Sequence, residues 1–268
     1  MSKILKKLKT KVYSSKFLKS QFLKYCKSLS IADLAHVSDD CARISYSQFG
    51  EDRILEFAIM ILQNKKIIEN PTYLDIGGNN PFSSSNSYFL HRQGYKGVVI
   101  EPNPKLAEAF LKARPTDTVL NIGIHFTDED IDSLPFYILN YHGSSSFDKA
   151  SVEEYMQLQK DAFIEKVENI KIKNINKIIE EYFANKAPTF ISLDVEGIDL
   201  AIIKSFDFTK YKPAFWCIET ADSCSNEHLG KKSNDISNYL LSKGYEIYAD
   251  TYVNTIFIDS NLLQEMTK

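Results

Sequence analysis

The chain has 268 residues, an apolar fraction of 44% and a formal net charge of −3. This length and composition allow a sizeable core and suit one large domain, or one domain with an extension. No apolar run approaches the length of a membrane span, and no signal peptide is recognisable. The four cysteines form no CxxC pair and fit a reducing compartment, so we expect a cytoplasmic location.

Charge is distributed unevenly along the chain. Residues 1–32 carry nine lysines and no acid, which leaves 23 basic against 35 acidic residues in the rest. Apolar residues recur there at helical spacing and predict a basic helical extension over residues 1–45. Such a helix can contact an anionic membrane surface peripherally through residues 3–27, or pack one stripe onto the domain. The acidic body carries no RNA- or DNA-binding motif, which argues against a nucleic-acid partner.

Strands and helices alternate after a long helix predicted from Tyr46 to about Lys66. Short apolar runs predict the strands, and helical patterns lie between them. The strands are Thr72–Ile76, Gly97–Glu101, Thr118–Ile122, Thr189–Asp194 and Ala214–Glu219, and the helices are Ser87–Gln93, Pro104–Ala113 and Ile198–Phe206. This alternation predicts a doubly wound α/β fold, with a mostly parallel sheet between helices.

Two parts of the predicted domain, residues 46–268, depart from simple alternation. Residues 126–186 are long for one crossover, so we predict an insert with a strand near Phe136–Leu139. Its two predicted helices lie around Ala150–Val167 and Asn174–Ala184. Near the end of the chain, Tyr245–Ala249 and Thr255–Asp259 predict a hairpin at the end of the sheet.

The segment TYLDIGGNNP (Thr72–Pro81) places two glycines directly after the first predicted strand. Gly77 and Gly78 let a ligand approach the main chain, and ligands of such sheets bind beyond the carboxyl ends of the strands. Glu101 ends the second strand, where it can bind both hydroxyls of a ribose. The third strand ends at Asn121, where an adenine could rest. The sequence lacks GxGxxG at this turn and has no GxxxxGK[ST], which argues against nicotinamide binding and against a P-loop.

Three blocks of the sequence match motifs of a known family and occur in the same order as in that family. They are SQFGEDRIL (Ser47–Leu55), TYLDIGGNNPFSSSNSYFLHRQGYKGVVIEPNP and FISLDVEGIDLAIIKSFDF. Together they resemble the FkbM family of S-adenosylmethionine-dependent methyltransferases, and the block around the glycines resembles the branch found with bacterial polysaccharide genes. The resemblance implies a class I methyltransferase fold with a seven-stranded sheet, and S-adenosylmethionine as the cofactor.

The resemblance also implies roles for single residues around the cofactor. Asp75 and Gly77 belong to the first cofactor motif, Glu101 is the ribose-binding acid, and Gln48 faces the pocket. Gly78 is a departure, because alanine is usual there. The remaining candidate cofactor contacts are Asn79, Asn86, Asn121 and Asp194.

Carboxylates end the fourth and fifth predicted strands. LDVEG places Asp194 and Glu196 at one tip and CIET places Glu219 at the next, so we expect them to converge on the pocket. Oxygen ligands there suit magnesium or manganese, and Asp222 and His228 could complete the shell. In the alternative interpretation, Asp194 caps the next helix and touches the methionine amino group.

A base or a metal must take the proton of any hydroxyl that is methylated. Asp194 and Glu196 are the first candidates for this role, and His125 and His142 follow because histidine titrates near neutral pH. The resemblance implies that the acceptor is a sugar, either nucleotide-linked or part of a capsular or lipopolysaccharide glycan. The alternatives are a silent cofactor-binding module that recruits glycan enzymes to a membrane, and a methyltransferase for a lipid or a protein.

Overall fold

The structure is a computed structural model that describes residues 43–127, 131–195, 197–222 and 230–268. Within it, Ser45–Lys268 forms one compact unit. No helix among the described residues is both long and apolar enough to cross a membrane. The predicted basic extension lies outside the described residues except for its last three positions, so it stays a prediction.

The described unit alternates helices and strands. In chain order the elements are α1 (Glu51–Asn64), β1 (Tyr73–Ile76), α2 (Tyr88–Arg92), β2 (Gly97–Ile100), α3 (Pro104–Ala113), β3 (Thr118–Leu120), β4 (Gly123–His125), β5 (Ser133–Leu139), α4 (Lys149–Leu158), β6 (Ile164–Asn174), α5 (Ile175–Tyr182), β7 (Phe190–Leu193), α6 (Asp199–Ser205), β8 (Phe215–Glu219), β9 (Ala221–Asp222), β10 (Lys231–Lys232), α7 (Asp235–Ser242), β11 (Tyr245–Asp250), β12 (Asn254–Asp259) and α8 (Ser260–Thr267).

Seven of the described strands form the central sheet, in the order β11–β12–β8–β7–β1–β2–β3. The strands from β8 to β3 are parallel, whereas β12 runs antiparallel to both β8 and β11. The predicted doubly wound fold and its terminal hairpin are therefore confirmed. The chain builds outward from β1 to β3 and then returns to place β7 on the other side of β1. This reversal is the switch point at which such sheets bind ligands.

The central strands are buried on both faces because successive side chains point to opposite sides. In β8, Trp216 and Ile218 join one apolar cluster, whereas Phe215 and Cys217 join the other. Helices α5, α6 and α7 contribute to the first cluster, and α1 and α2 to the second. This two-sided burial explains why the strands appear in the sequence as continuous apolar runs.

Helix α1 begins later than predicted, at Glu51 rather than near Tyr46. Gly50 is left-handed, with φ of 96°, and so separates the helix from the residues before it. The buried Asp52 carboxylate accepts hydrogen bonds from the main-chain N–H of Tyr46 (2.6 Å) and the hydroxyl of Ser47 (2.9 Å). The preceding segment is therefore a turn that is folded back onto the first helical residues.

The insert contributes β5 and β6 to a three-stranded sheet in the order β4–β6–β5, with α4 between β5 and β6. The helix predicted over Ala150–Val167 is wrong beyond Leu158, because β6 begins at Ile164. Ile164, Val167 and Ile170 lie three residues apart, which imitates helical spacing, although the buried residues Ile170 and Ile172 alternate as in a strand. The helix predicted over Asn174–Ala184 is confirmed as α5.

Candidate active site

A pocket lies at the carboxyl ends of β1, β2 and β7. Its empty volume is about 490 Å³, counting the part that is open to solvent. Gly77 and Asn79 line it from the turn after β1, Glu101 from the tip of β2, and Asp194 from the tip of β7. The structure therefore brings together four of the residues predicted to bind the cofactor, at the switch point of the sheet.

The turn after β1 contains two glycines, and a side chain would be obstructed at each of them for a different reason. Gly77 has φ of +80°, and a Cβ atom there would lie 1.7 Å from the carbonyl oxygen of Asp194. A Cβ atom on Gly78 would meet the side chains of Phe110 at 2.7 Å and Val99 at 2.9 Å. Gly77 thus allows the loops after β1 and β7 to approach each other, which holds Asp194 at the pocket.

Glu101 is a buried carboxylate whose two oxygens both contact the main chain. Oε2 accepts the N–H of Asn79 at 2.7 Å, and Oε1 accepts the N–H of Asn103 at 2.8 Å. Burial raises the pKa of Glu101 to about 7, although these two hydrogen bonds oppose the shift. Each oxygen keeps capacity to accept another hydrogen bond, so the group can still bind a diol.

Asp194 contributes a buried oxygen atom to the pocket wall. Its Oδ1 atom has no hydrogen-bond partner among the described residues, whereas its carboxyl group hydrogen-bonds to that of Glu219. Burial, reinforced by the negative charges of Asp199 and Asp75, raises the pKa of Asp194 to about 7. An unsatisfied buried acceptor is costly, so this atom marks a position for a donor from a ligand.

Helix α6 is not capped by Asp194, which removes that part of the alternative interpretation. The carboxylate of Asp199 instead accepts the N–H of Val195 at 3.2 Å, in front of the helix. Asp194 is therefore held at the tip of β7 by its main chain, whose N–H donates to the carbonyl of Ile76 at 3.1 Å.

The pocket changes in polarity along the edge of the sheet. Asp194 lies at the β7 end and Glu101 in the middle. Beyond Glu101 the wall carries the apolar residues Pro102, Ile124, Phe136 and Phe147, of which the last two belong to the insert. His142 and Ser145 of the insert also line the pocket, and Val195 and Ile198 line it next to Asp194. The pocket therefore suits a ligand with a polar end, a central diol and an apolar end.

Four predicted cofactor residues lie outside this lining. The buried Asp75 carboxylate accepts a hydrogen bond from Ser87. Asn86 donates to the hydroxyl of Ser192 at 3.2 Å. The amide of Asn121 donates to the carbonyls of Glu101 and Pro102, at 2.9 Å each, and so joins the tips of β2 and β3. Gln48 is exposed, and its amide oxygen lies 3.5 Å from the amide nitrogen of Asn254.

The two candidate histidines are placed differently. His142 lines the pocket, and its Nδ1 donates to the carbonyl of Leu139 at 2.9 Å, which leaves Nε2 as the basic nitrogen of the neutral ring. His125 is buried at the end of β4, outside the pocket lining. Its Nδ1 accepts the N–H of Thr127 at 2.9 Å, so its basic nitrogen already has a structural use.

The predicted metal site is only partly described. Asp194 and Glu219 are in contact, as expected from neighbouring strand tips. Among the described residues, no group of three or more His, Cys, Asp and Glu side chains is arranged to hold a metal ion. Glu196, His228 and the side chain of Asp222 lie outside the described residues, so the metal stays a prediction.

A buried arginine behind the glycine turn was not foreseen from the sequence. Arg114 is fully buried and donates to the carbonyl of Pro81 (2.8 Å) and to the hydroxyls of Ser85 (2.7 Å) and Ser87 (2.8 Å). Its guanidinium lies 3.9 Å from the carboxylate of Asp75. Arg114 thus ties the loop that carries Asn79 to the end of α3. An arginine directly after a helix looks like a solvated end, and only the run of serines in the loop hints at a partner.

A second cavity adjoins the far side of Glu219. Its empty volume is about 1130 Å³, counting the part that is open to solvent. Ser151 and Tyr155 of α4, Asp199 of α6 and Asp235 of α7 line it together with Glu219. The contact between Asp194 and Glu219 therefore connects the wall of the first pocket to the wall of this polar cavity.

The strand order, the glycine turn after β1 and the acid at the tip of β2 define the class I methyltransferase fold. The sequence profile of the family described as "Methyltransferase FkbM domain" matches residues 75–247, more than half of the chain. The chain therefore belongs to the FkbM methyltransferase family, and the resemblance noted from its motifs is confirmed. No curated protein matches the sequence significantly.

Solved structures with a similar fold include several methyltransferases. A TehB-like SAM-dependent methyltransferase from Corynebacterium glutamicum is 10% identical, with 90% of this chain and 99% of that chain covered and a TM-score of 0.37. Magnesium protoporphyrin IX methyltransferase from Synechocystis, with bound SAM, is 11% identical, with 89% and 94% covered and a TM-score of 0.36. An O-methyltransferase from Bacillus cereus in complex with SAH is 10% identical, with 84% and 95% covered and a TM-score of 0.34.

Proposed function

We propose that this protein transfers a methyl group from S-adenosylmethionine to a hydroxyl group of a sugar. The observation that carries the proposal is the placement of Asp194. Its buried Oδ1 atom lacks a partner among the described residues at the first pocket, and its carboxyl group contacts Glu219, which lines the second cavity. One acidic pair thus joins a pocket shaped for a cofactor to a polar cavity suited to an acceptor.

The residues of the first pocket fit S-adenosylmethionine. This molecule carries a charged amino-acid end next to a positively charged sulfur, a ribose diol in the middle and an adenine at the other end. The pocket offers the same order, with Asp194 at one end, Glu101 in the middle and an apolar, aromatic wall opposite. When bound, the cofactor supplies an activated methyl group, so the protein itself has to position the acceptor and move one proton.

Asp194 is the candidate proton acceptor. Its pKa of about 7 matches a general base that works near neutral pH, because about half of such groups are ionised there and the carboxylate is still basic. With the cofactor bound, the carboxylate would accept the proton of the acceptor hydroxyl, while the methyl–sulfur bond of the cofactor breaks and S-adenosylhomocysteine leaves. Glu219, which hydrogen-bonds to Asp194, lines the second cavity. His142, with its basic Nε2, is the second candidate at this pocket.

The second cavity supports a sugar as the acceptor. Hydroxyls and carboxylates bind the hydroxyl groups of sugars, and the ring of Tyr155 can cover an apolar sugar face. Among the described residues that line it there is no lysine or arginine. This lining supports a glycan hydroxyl over a nucleotide-linked sugar, whose phosphates would lie against Glu219 and Asp199. A lipid acceptor fits the polar lining less well.

The experiment that tests the proposal follows the methyl group. Purified protein is incubated with S-adenosylmethionine carrying a labelled methyl group and with capsular or lipopolysaccharide glycans, nucleotide sugars, lipids or proteins, with and without chelator. Label on a glycan that disappears in Asp194→Asn supports the proposal. Cofactor binding without transfer to any acceptor favours the silent module, and loss of transfer in chelator adds a metal to the site.

A further inference from the structure

The insert contributes a wall to the cofactor pocket, in addition to any role in acceptor choice. Phe136 and Phe147 line the pocket's apolar end, and both belong to the segment between β4 and α4. The turn at His142–Ser144 also reaches the glycine turn, because a Cβ atom on Gly143 would lie 3.1 Å from the side-chain nitrogen of Asn79. The insert therefore contacts the pocket at two separate places.

Phe147 has a defined position at this wall. Its ring centroid lies 4.7 Å from that of Phe136, with the planes at 50°. Phe136 is buried, whereas Phe147 is only half-buried and faces the pocket with part of its ring. Phe147 also packs against the cluster that contains Ile138 and Ile170 of the insert sheet. A partly exposed ring held by an aromatic neighbour is a suitable surface for a planar ligand.

Gly123 makes this arrangement possible from the other side. A Cβ atom at this position would lie 2.3 Å from Cζ of Phe147 and 2.4 Å from Cε2. Any side chain at residue 123 would therefore displace the ring from its position at the pocket wall. The glycine at the start of β4 and the ring from the insert form one matched pair.

Asn121 was predicted from the sequence to lie near an adenine, but its side chain makes hydrogen bonds elsewhere. Both carbonyl groups that it contacts belong to the main chain at the tip of β2. Asn121 is also absent from the pocket lining, whereas Gly123, Ile124 and Phe147 are part of it. The surface available to a purine at this end is consequently apolar and aromatic.

We propose that the insert supplies the adenine-binding wall of the cofactor pocket, with Phe147 packing against the purine and Gly123 making room for its ring. This inference rests on the proposed function, because it assumes that the pocket binds an adenosyl cofactor. It means that the core fold alone does not complete the cofactor site, and that the insert must be folded in place before the cofactor is held.

The test measures the binding of two ligands that share the adenine. S-adenosylhomocysteine and 5′-methylthioadenosine, which lacks the amino-acid end, are titrated calorimetrically into the full chain and its variants. Phe147→Ala is expected to weaken both ligands by a similar factor, roughly tenfold to a hundredfold, as expected for the loss of one base-stacking ring. Asp194→Asn, at the opposite end, is expected to leave methylthioadenosine binding within about twofold of wild type.

Two further variants separate a local effect from a loss of folding. Phe163→Ala removes an insert phenylalanine that is 54% exposed and lies outside the pocket lining, so binding should not change. Gly123→Ala should weaken the binding of both ligands. In the double variant with Phe147→Ala, the loss of affinity should be smaller than the product of the two single losses, because the ring that the new alanine would displace is no longer there. Melting temperatures of all variants are recorded with and without ligand.

The outcomes are distinguishable. Equal weakening of both ligands in Phe147→Ala, with Phe163→Ala unchanged, supports the proposal. Wild-type affinity in Phe147→Ala, or a loss confined to S-adenosylhomocysteine, would overturn it while leaving the cofactor assignment standing. If the wild-type chain binds neither ligand, the proposed function itself fails, and this inference fails with it.

Discussion

The side chain of Asp194 hydrogen-bonds to that of Glu219, so the tips of β7 and β8 meet through two carboxyl groups. Burial, together with the negative charges of Asp199 and Asp75, raises the pKa of Asp194 to about 7, whereas the hydrogen bond with Glu219 opposes this shift. This arrangement keeps a proton acceptor next to the cofactor pocket at neutral pH. The sheet itself creates it, because parallel neighbours end at the same edge.

We predict that Asp194→Asn lowers methyl transfer by about a hundredfold to ten thousandfold, the usual contribution of a general base. Asparagine keeps the shape of aspartate but cannot accept the proton. Cofactor affinity for S-adenosylhomocysteine should change much less than turnover. Single-turnover transfer of a labelled methyl group measures the effect, with Glu219→Gln as a comparison expected to be milder. Transfer at the wild-type rate in Asp194→Asn would move the role to His142 or to a metal.

We predict that the ligand-free protein becomes less stable as the pH rises from about 4.5 to about 7. Burial raises the pKa of Glu101 from 4.5 and that of Asp194 from 3.8, both to about 7. Between these values the folded protein holds protons that the unfolded chain has released, so the free energy of unfolding falls with pH, by about 1.4 kcal/mol per pKa unit for each group. Above about pH 7 this contribution is constant.

Urea unfolding at pH 5 and pH 8 measures this effect. In the double variant Glu101→Gln with Asp194→Asn, both groups are uncharged at every pH. The drop in stability between the two pH values should therefore be smaller in the double variant than in the wild type. An equal drop in both proteins would mean that these carboxyls ionise normally.

We predict that Glu101→Ala weakens S-adenosylhomocysteine binding by tenfold or more. Each lost hydrogen bond between a ribose hydroxyl and a charged carboxylate is worth roughly 1.5–3 kcal/mol. The variant also leaves the N–H groups of Asn79 and Asn103 without their acceptor, which loosens the glycine turn. Glu101→Gln, which retains one acceptor oxygen, should bind with intermediate affinity. Calorimetric titration checks both, and an unchanged affinity in Glu101→Ala would remove this residue from the site.

We predict that Arg114→Met lowers the free energy of unfolding by about 3–5 kcal/mol, as expected when one partner of a buried charged network is removed. The change leaves the carboxylates of Asp75 and Asp117, each 3.9 Å from the guanidinium, without their buried cation. Arg92→Met is the matched control, because Arg92 is exposed and its hydrogen bond and ring contact within the described part of the chain are both with Tyr46. Urea unfolding distinguishes the two variants. Similar losses of unfolding free energy in both would show that the buried contacts of Arg114 do not stabilise the fold more than an exposed arginine does.

The strand tips of the core could be predicted from the sequence because each central strand is a short apolar run followed by glycine or an acid. Gly77, Glu101 and Asp194 were located in this way, and all three line the pocket. Local pattern failed in the insert, where the spacing of Ile164, Val167 and Ile170 imitates a helix. Ile170 is buried against Phe136 and Ile138, which favours a strand here, and these partners are distant from it in the chain.

The supporting contacts of the site could not be predicted, because they join segments that are far apart in the sequence. Arg114 reaches Ser85 across 29 positions, and the ring of Phe147 fits against Gly123. The same limit applies to Asn121 and His125, whose residue types suit a binding site. Their polar atoms are used by nearby main chain instead, which no spacing rule reveals.

The two glycines of the turn should respond differently to alanine. Gly77→Ala places a Cβ atom 1.7 Å from the main-chain oxygen of Asp194 at a φ of +80°. The backbone conformation alone costs an alanine about 1–3 kcal/mol, and the neighbouring main chain cannot move without displacing Asp194. We predict a clear loss of stability and of S-adenosylhomocysteine binding.

Gly78→Ala is the matched control for that variant. Its Cβ atom would meet side chains rather than main chain, the buried Phe110 ring at 2.7 Å and the buried Val99 at 2.9 Å, and both must move to admit it. The resemblance to the FkbM family implies that alanine is usual at this position. We therefore expect cofactor affinity close to wild type and a smaller change in the urea midpoint than for Gly77→Ala. Equal damage from both substitutions would mean that the close approach of Gly77 to Asp194 does not govern the pocket.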